Sequence, residues 1–484
     1  MTVLFKQPLA LGILLGIGMA TAYLVPYAGF FVPFFIAVFL YVFRSGVWQI
    51  REVLLAGFAA ITVYEFLILS WAWGASFYLS SSLIHVPFLF ALLLIFFTLS
   101  AISLVAGAMF LPWVYVSWRY RFPVLIEAFV LSGGWVLCEW LRIGALSLLS
   151  YGDGVLNPPY LSFGMIGYTL ADYPKIVSLA SFGGIYMLSF VLAIVGVGLF
   201  YAHRVWKEGR GRRFVVALFS LIFVVSGGLV AWHSATLPTM RSVPITLTTK
   251  YSFPQVPTYT KSIKVAQQQD ALVVLPEGSR QFYEPFAPQN FKSLHRGSVV
   301  IDSYPAPKQA QQGKKTPGAF AVTSSAMNLV REKHALAPYG EFTPLAMTLF
   351  AHLTGFSGVL DQFTRERHYT PGSYDGSFSY SGVRGSVIFC DEIAVPNIAK
   401  EIVEKTGSQL MIAIASTHWF PSGYMLHRET IRMAKVRAVE AGVPIARSAY
   451  GDPAFVVDAS GNLLYEGPWA ASAVATVQVP VPVE

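Results

Sequence analysis

Long apolar runs with very little charge fill the first half of this chain, at about 8–24, 29–43, 54–72, 87–113, 123–140, 180–202 and 214–232. A helix that crosses a bilayer needs about 20 such residues, and its backbone must satisfy its own hydrogen bonds where no water reaches. The runs predict seven spans. The first two meet at Val25-Pro26-Tyr27, inside an uncharged stretch from Gln7 to Phe43 that is too long for one untilted helix. One apolar run leads straight into the next without a small-residue cleavage site, so the start reads as a retained span and not a removed signal.

Charge placement orients the spans. Lys6 precedes the first run, Arg44 and Arg51 follow the second, and Arg119 and Arg121 follow the fourth; Arg204, Lys207, Arg210, Arg212 and Arg213 follow the sixth. With seven spans these clusters share one side, which the positive-inside rule makes the cytoplasm. The odd count then places residues 233–484 on the other side, in the periplasm if the cell has two membranes. The net charge of +8 is spent on this pattern, which argues against nucleic acid as a partner. At 12% charged residues the chain carries about half the charge of an ordinary soluble domain.

Glu65 lies in the third run, and Glu127 and Glu139 lie in the fifth. Carboxylates inside a membrane face a partner or a wet cavity. Glu127 and Glu139 sit near run ends, where water reaches. Glu65 is deeper, and no partner for it is evident in the sequence. The stretch 141–179 reads as an outer loop, holding Arg142, Tyr151, Asp153, Asn157, Pro158, Pro159 and Tyr160. It suits either a substrate lid or a packed connector.

Near residue 235 the composition changes, dividing the chain into a helical domain, 1–235, and a second domain, 236–484. Short β-branched runs begin at Val243, Ala271, Gly385, Leu410 and Ala454, with helix candidates at 393–406 and 424–442 between some of them. In the second helix Leu426, Ile431, Met433, Val436 and Val439 form a partial apolar face among charged residues. Strands alternating with helices predict an α/β layer fold. The segments 302–320 and 367–384 read as loops at the rim of a site.

Cys138 and Cys390 are the two cysteines, too few for a disulfide framework. Cys390 follows the strand Gly385–Phe389, and Glu277 follows the strand Ala271–Leu275. Active groups in α/β sheets gather at such carboxyl ends. Lys333 lies in a turn-rich Lys-His-Ala-Leu-Ala-Pro-Tyr-Gly-Glu segment. Thiol acyl chemistry connects the three. A thiolate attacks an acyl carbon, a partly buried Glu takes the thiol proton, and an ammonium stabilises the oxyanion. Glu341 and Glu392 are candidates to orient Lys333 or share proton traffic.

At these residues the second domain resembles the nitrilase (carbon–nitrogen hydrolase) superfamily, which implies a Glu-Lys-Cys triad on an αββα sandwich. The chain as a whole resembles the apolipoprotein N-acyltransferase family, through Leu275-Pro-Glu-Gly-Ser, the Lys333–Pro344 segment, Phe389-Cys-Asp-Glu-Ile-Ala, the 427–440 helix and, more weakly, Cys138-Glu-Trp-Leu-Arg. The resemblance implies that Glu277 is the general base, Lys333 the oxyanion stabiliser and Cys390 the nucleophile. It also implies that Glu341 and Glu392 support the site and that Trp419 lies near the acyl-binding region.

The implied reaction is ping-pong. Cys390 takes an acyl chain from a membrane phospholipid as a thioester and passes it to the N-terminal amine of a diacylated lipoprotein. The implied enzyme is a monomer that needs neither a cofactor nor a metal. Three departures from the family pattern stand out. Ser416-Thr-His-Trp-Phe-Pro replaces the usual Ser-Asn-Asp-Ala-Trp-Phe-Gly, Ala145-Leu-Ser-Leu-Leu-Ser-Tyr stands where Gly-Phe-Pro-Trp is usual, and no apolar run follows the second domain. Rival readings are a membrane-tethered amidase or nitrilase-type hydrolase, an N-acyltransferase with a different amine acceptor, and a non-catalytic scaffold.

Overall fold

The computed structural model describes residues 7–81, 87–152, 161–207, 227, 238–251, 256–283, 291–305, 315–338, 340–358, 360–361, 369–420 and 423–483. Apart from Gly227, the expected seventh span lies outside these residues. So do Asp153, Asn157, Pro158, Pro159, Tyr160, Arg210, Arg212, Arg213 and parts of the two expected rim loops. The chain forms two compact units. One comprises Met1–Ser70, Leu93–Leu146 and Ser162–Thr236, and the other comprises Trp71–Leu92, Ser147–Leu161 and Leu237–Glu484.

The helices run as α1 Pro8–Leu24, α2 Val32–Phe43, α3 Ile50–Ile68, α4 Gly74–Ser81, α5 Phe88–Arg119, α6 Val124–Leu149, α7 Pro174–Val177 and α8 Ala180–Lys207. Among the described residues three helical stretches are long and apolar enough to cross a membrane, namely Ala91–Arg119, Val124–Leu149 and Ala180–Lys207. A fourth span is available if Ile50–Ile68 and Ser70–Phe77, bent by 52°, act as one. Among the described residues the structure thus gives three or four of the seven spans expected. The apolar stretch from Gln7 to Phe43 is broken at Val25–Ala28, where Tyr27 adopts φ 58°, and each fragment is shorter than a span.

Small residues bring α1 and α3 together. A Cβ added at Gly12 would lie 2.4 Å from the Ala56 carbonyl oxygen, and one at Gly16 would lie 2.4 Å from that of Ala60. Such four-residue spacing lets apolar helices pack backbone to backbone. The buried carboxylates of this unit have partners. Glu65 pairs with Arg142, and Glu127 pairs with Arg44. Glu139 accepts the Ile166 N–H at 2.9 Å. Arg142 belongs to α6 and not to the expected outer loop, because the helix runs on to Leu149.

Among the described residues the second unit is built on twelve strands. One half-sheet has the order β5 Met327–Glu332, β4 Pro317–Val322, β3 Val299–Pro305, β2 Leu272–Val274, β1 Met240–Lys250 and β12 Ala473–Pro482. The other has the order β6 Phe378–Tyr380, β7 Val383–Phe389, β8 Leu410–Ser416, β9 Ile445–Tyr450, β10 Phe455–Val457 and β11 Leu463–Glu466. They join where Thr249 and Lys250 pair in parallel with Ala449 and Tyr450.

Alternation along the strands sends one face of each half into a common core. That core includes Ile245, Leu272, Val274 and Ile301 from the first half and Val387, Phe389, Ile412 and Val456 from the second. On the outer face of the first half, α9 (Val256–Gln268) contributes Tyr259 and Ala266 to a cluster with Val273 and Leu275. Next in the chain comes α10 (Leu345–Thr354), and two further helices, α11 (Ile398–Thr406) and α12 (Tyr424–Ala441), pack on the second half. The layers are thus helix, sheet, sheet and helix. α12 departs from the expected one-sided amphipathic pattern, since Glu429, Arg432, Arg437 and Glu440 are buried along with its apolar residues.

Candidate active site

The parallel strands β1, β2, β7, β8 and β9 end together where the two halves join, and the chemistry-bearing residues follow those ends. Ser448 helps fix this seam, donating to the Val274 carbonyl at 2.9 Å and accepting the Thr248 N–H at 3.0 Å. Glu277 leaves β2 in a turn held by buried Asp302, which accepts from Ser279 and from the Phe282 N–H. Gly278 takes φ +75° there, a conformation that favours glycine, and its N–H donates to Ser303 Oγ at 2.7 Å. Lys333 follows β5 and is pinned on both sides: its N–H donates to the Pro317 carbonyl, and its own carbonyl accepts the Gly372 N–H. Cys390 opens a tight 3-10 turn, Cys390–Ala394, directly after β7.

The structure brings Glu277, Lys333, Glu341 and Asp391 into one cluster beside Cys390. Lys333 Nζ lies 3.2 Å from Glu277, 2.8 Å from Glu341 and 2.8 Å from Asp391. Cys390 Sγ lies 3.8 Å from the Ser416 carbonyl oxygen at the end of β8. Burial works against the Lys333 ammonium, but the three carboxylates outweigh it and hold its pKa well above the ordinary value. Burial raises Glu277, partly opposed by Lys333. The Cys390 thiol is also pushed far up by burial and by Glu277, so it rests as a thiol and needs a base to remove its proton. Asp391 is raised to about 7 by burial, with Lys333 opposing and Glu341 adding.

Glu392 holds the neighbourhood in shape. Fully buried, it pairs with Arg331 and accepts the N–H groups of Phe389 at 2.9 Å, His334 at 2.8 Å and Ala335 at 3.1 Å. One carboxylate therefore ties the strand end before Cys390 to the segment after Lys333. Burial pushes its pKa up, but Arg331 and these donors bring it below the ordinary value, so Glu392 stays ionised and is not a proton carrier. Arg331 is oriented in turn by Asp375, 2.9 Å from its Nε.

Trp419 lies in the segment that follows Ser416, with its ring 5.2 Å from that of His418. The unusual Thr417-His418 pair fastens this wall. Thr417 N–H donates to the Tyr450 carbonyl at 2.8 Å, and the His418 ring stacks on Tyr450 at 4.5 Å. Phe420 meets Trp71 edge to face at 5.0 Å. From the expected outer loop, the Tyr151 carbonyl accepts the Leu345 N–H at 2.7 Å, close after Glu341 in the chain.

Two members of this site were not singled out in the sequence, Asp391 and Arg331. Asp391 stood in plain view beside the cysteine, where a charged residue reads as solvated. Arg331 lies in β5, a strand the sequence did not announce, so nothing there marked it. Among the described residues no group of His, Cys, Asp and Glu could hold a metal ion.

Fold and site together define a class: an αββα sandwich with a Cys, Lys and Glu cluster, on a chain that also carries apolar helices of span length. Residues 12–198 match the family model described as the apolipoprotein N-acyltransferase N-terminal domain. The chain is 24% identical over 338 residues to an apolipoprotein N-acyltransferase of Geobacter metallireducens, covering 65% of this chain and 63% of that relative. It is 23% identical over 377 residues to that of Pseudomonas putida, covering 74% and 69%. A carbon–nitrogen hydrolase superfamily protein of Xanthomonas campestris aligns with 49% of this chain and 91% of its own, at 16% identity and a TM-score of 0.35. The chain is thus similar to apolipoprotein N-acyltransferases and spans about two thirds of the length of the two relatives named.

Proposed function

We propose that this chain moves an acyl chain from a membrane phospholipid, through a thioester on Cys390, to the N-terminal amine of a diacylglyceryl-cysteine lipoprotein. The observation that carries this reading is the cluster itself: a half-buried thiol beside a raised carboxylate and a firmly protonated lysine. A thiol that rests protonated suits a cycle in which the base acts only when an acyl carbon is present.

In the first half-reaction Glu277 takes the Cys390 proton and sulfur attacks the ester carbonyl. Lys333 steadies the oxyanion. The carbon–oxygen bond then breaks, and Glu277 returns the proton to the departing lysophospholipid. In the second half-reaction the amine attacks the thioester, Glu277 removes a proton from nitrogen, and sulfur leaves as the thiol. Glu341 supports Lys333, Glu392 positions the loops, and Trp419 stands near the acyl chain.

The catalytic domain is read as residues 236–484, facing the periplasm from an inner membrane crossed by the apolar runs, in a monomer. Two lipid-anchored substrates suit a membrane-held enzyme, because confinement raises their local concentration. The test is to supply purified full-length protein with a phospholipid labelled in its acyl chain and a synthetic diacylated lipopeptide, and to weigh the lipopeptide. A labelled triacylated product, lost in Cys390→Ala, is expected. Labelled free fatty acid without any acylated lipopeptide would instead favour the hydrolase reading.

A further inference from the structure

The cluster holds more carboxylates than a single proton shuttle needs. Glu277, Glu341 and Asp391 all lie within 3.2 Å of one ammonium, that of Lys333. Asp391 differs from the other two. Glu277 accepts a hydrogen bond from Lys333, and Glu341 accepts the Ala337 N–H. Asp391 has both oxygens enclosed, and its Oδ2 accepts no hydrogen bond among the described residues. Lys333 approaches Asp391 Oδ1 as an ion pair at 2.8 Å. Oδ2 is left without a donor among the described residues, beside the nucleophile.

Proton counting gives this carboxylate a task. An α-amine has an ordinary pKa of about 7.7–8.0, so near neutral pH it arrives largely as an ammonium. To become an amide, its nitrogen must lose two protons. Glu277 carries one of them to the departing sulfur. The other needs a second acceptor.

We propose that Asp391 is that second acceptor, a catalytic residue that takes the first proton from the incoming ammonium of the acceptor. This rests on the N-acyltransferase reading above. Asp391 takes a proton from R–NH3+, and the freed lone pair attacks the thioester carbon while the carbonyl electrons move to oxygen beside Lys333. Glu277 then removes the second proton from nitrogen. The carbon–sulfur bond breaks with its electrons going to sulfur, which receives the proton from Glu277. Asp391 finally releases its own proton to water. The sum is thioester plus ammonium giving amide, thiol and one proton. The charged groups facing Asp391 are Lys333, Glu341 and Glu277 on other segments and Glu392 on its own turn.

The test uses full-length protein pre-loaded as the Cys390 thioester, in parent and Asp391→Asn forms. Each is discharged by a diacylated lipopeptide amine and, separately, by hydroxylamine, which is already neutral at neutral pH. The readout is the ratio of the two rates. At pH 6.5 about 5% of an α-amine is neutral, so the ratio for Asp391→Asn should fall about 10- to 20-fold below the parent and rejoin it near pH 9. Asp391→Glu, which keeps a carboxylate, should hold the ratio within a few-fold of the parent. Ratios that superimpose at every pH would overturn the proposal. So would an Asp391→Asn protein that forms no thioester while Asp391→Glu does, because Asp391 would then act on the nucleophile. A parent protein that forms no thioester at all would sink the underlying reading, a result distinct from either.

Discussion

Removing the Glu392 carboxylate should do more damage than removing any of the residues read as carrying the chemistry. In Glu392→Ala, Arg331 loses its buried counter-charge, and the N–H groups of Phe389, His334 and Ala335 lose their acceptor together. Breaking a buried ion pair from one side costs about 3–5 kcal/mol, and each orphaned donor adds to that unless water enters. In a unit of this size about 3–5 kcal/mol corresponds to a fall of roughly 6–20 °C in melting temperature. Cys390→Ala removes a single sulfur and should shift the melt far less. The assay is thermal unfolding of detergent-solubilised full-length protein, followed by intrinsic fluorescence, with the two variants side by side. A Glu392→Ala protein that melts within about 2 °C of the parent would refute the claim that this carboxylate holds the two loops together.

Other outcomes follow from the same geometry. Because burial and Glu277 raise the Cys390 thiol, alkylation by iodoacetamide at pH 8 should be slower than for a free cysteine and should climb steeply only at higher pH. Lys333→Met, which removes the one favourable charge, should slow it further, as read by intact mass. His427 contacts Asp452 and Glu466, and these raise its pKa despite burial and the opposing Arg447. That contribution to stability is complete below the unfolded value of about 6.5 and is lost as pH rises through the raised folded value. The melting temperature should therefore fall from pH 6 to pH 9 by more in the parent than in His427→Gln. Gly16→Leu would drive a side chain into the Ala60 carbonyl and should loosen α1 from α3, at a cost of about 1–3 kcal/mol. Limited proteolysis of the detergent-solubilised protein would detect it as faster cleavage near the N-terminus.

Much of the second unit was legible because its strands are short apolar runs whose ends carry the unusual residues. Glu277 and Cys390 follow β2 and β7 closely, and strand ends are where a parallel sheet exposes side chains. What was not legible depended on pairing across the fold. Arg437 and Glu440 counted only as charged residues beside a partial apolar face, but α12 packs against both the sheet and α11, and they are buried and pair with each other. Glu65 showed no partner because Arg142 lies 77 residues away on another helix. Glu392 read as a possible proton carrier, since three backbone donors cannot be seen in a sequence. In the helical unit hydropathy located the helices but not their reach, because a turn at Tyr27 divides one apolar stretch into two short helices.

The central claim is that Cys390 accepts an acyl chain from a phospholipid. The most direct measurement is the intact mass of the purified full-length protein after incubation with a phospholipid of defined acyl chain and no acceptor. The account predicts a single added acyl group on Cys390, released by hydroxylamine and absent in Cys390→Ala and Glu277→Gln. An unmodified mass with every phospholipid tested, or an acyl group that survives in Cys390→Ala, would contradict it.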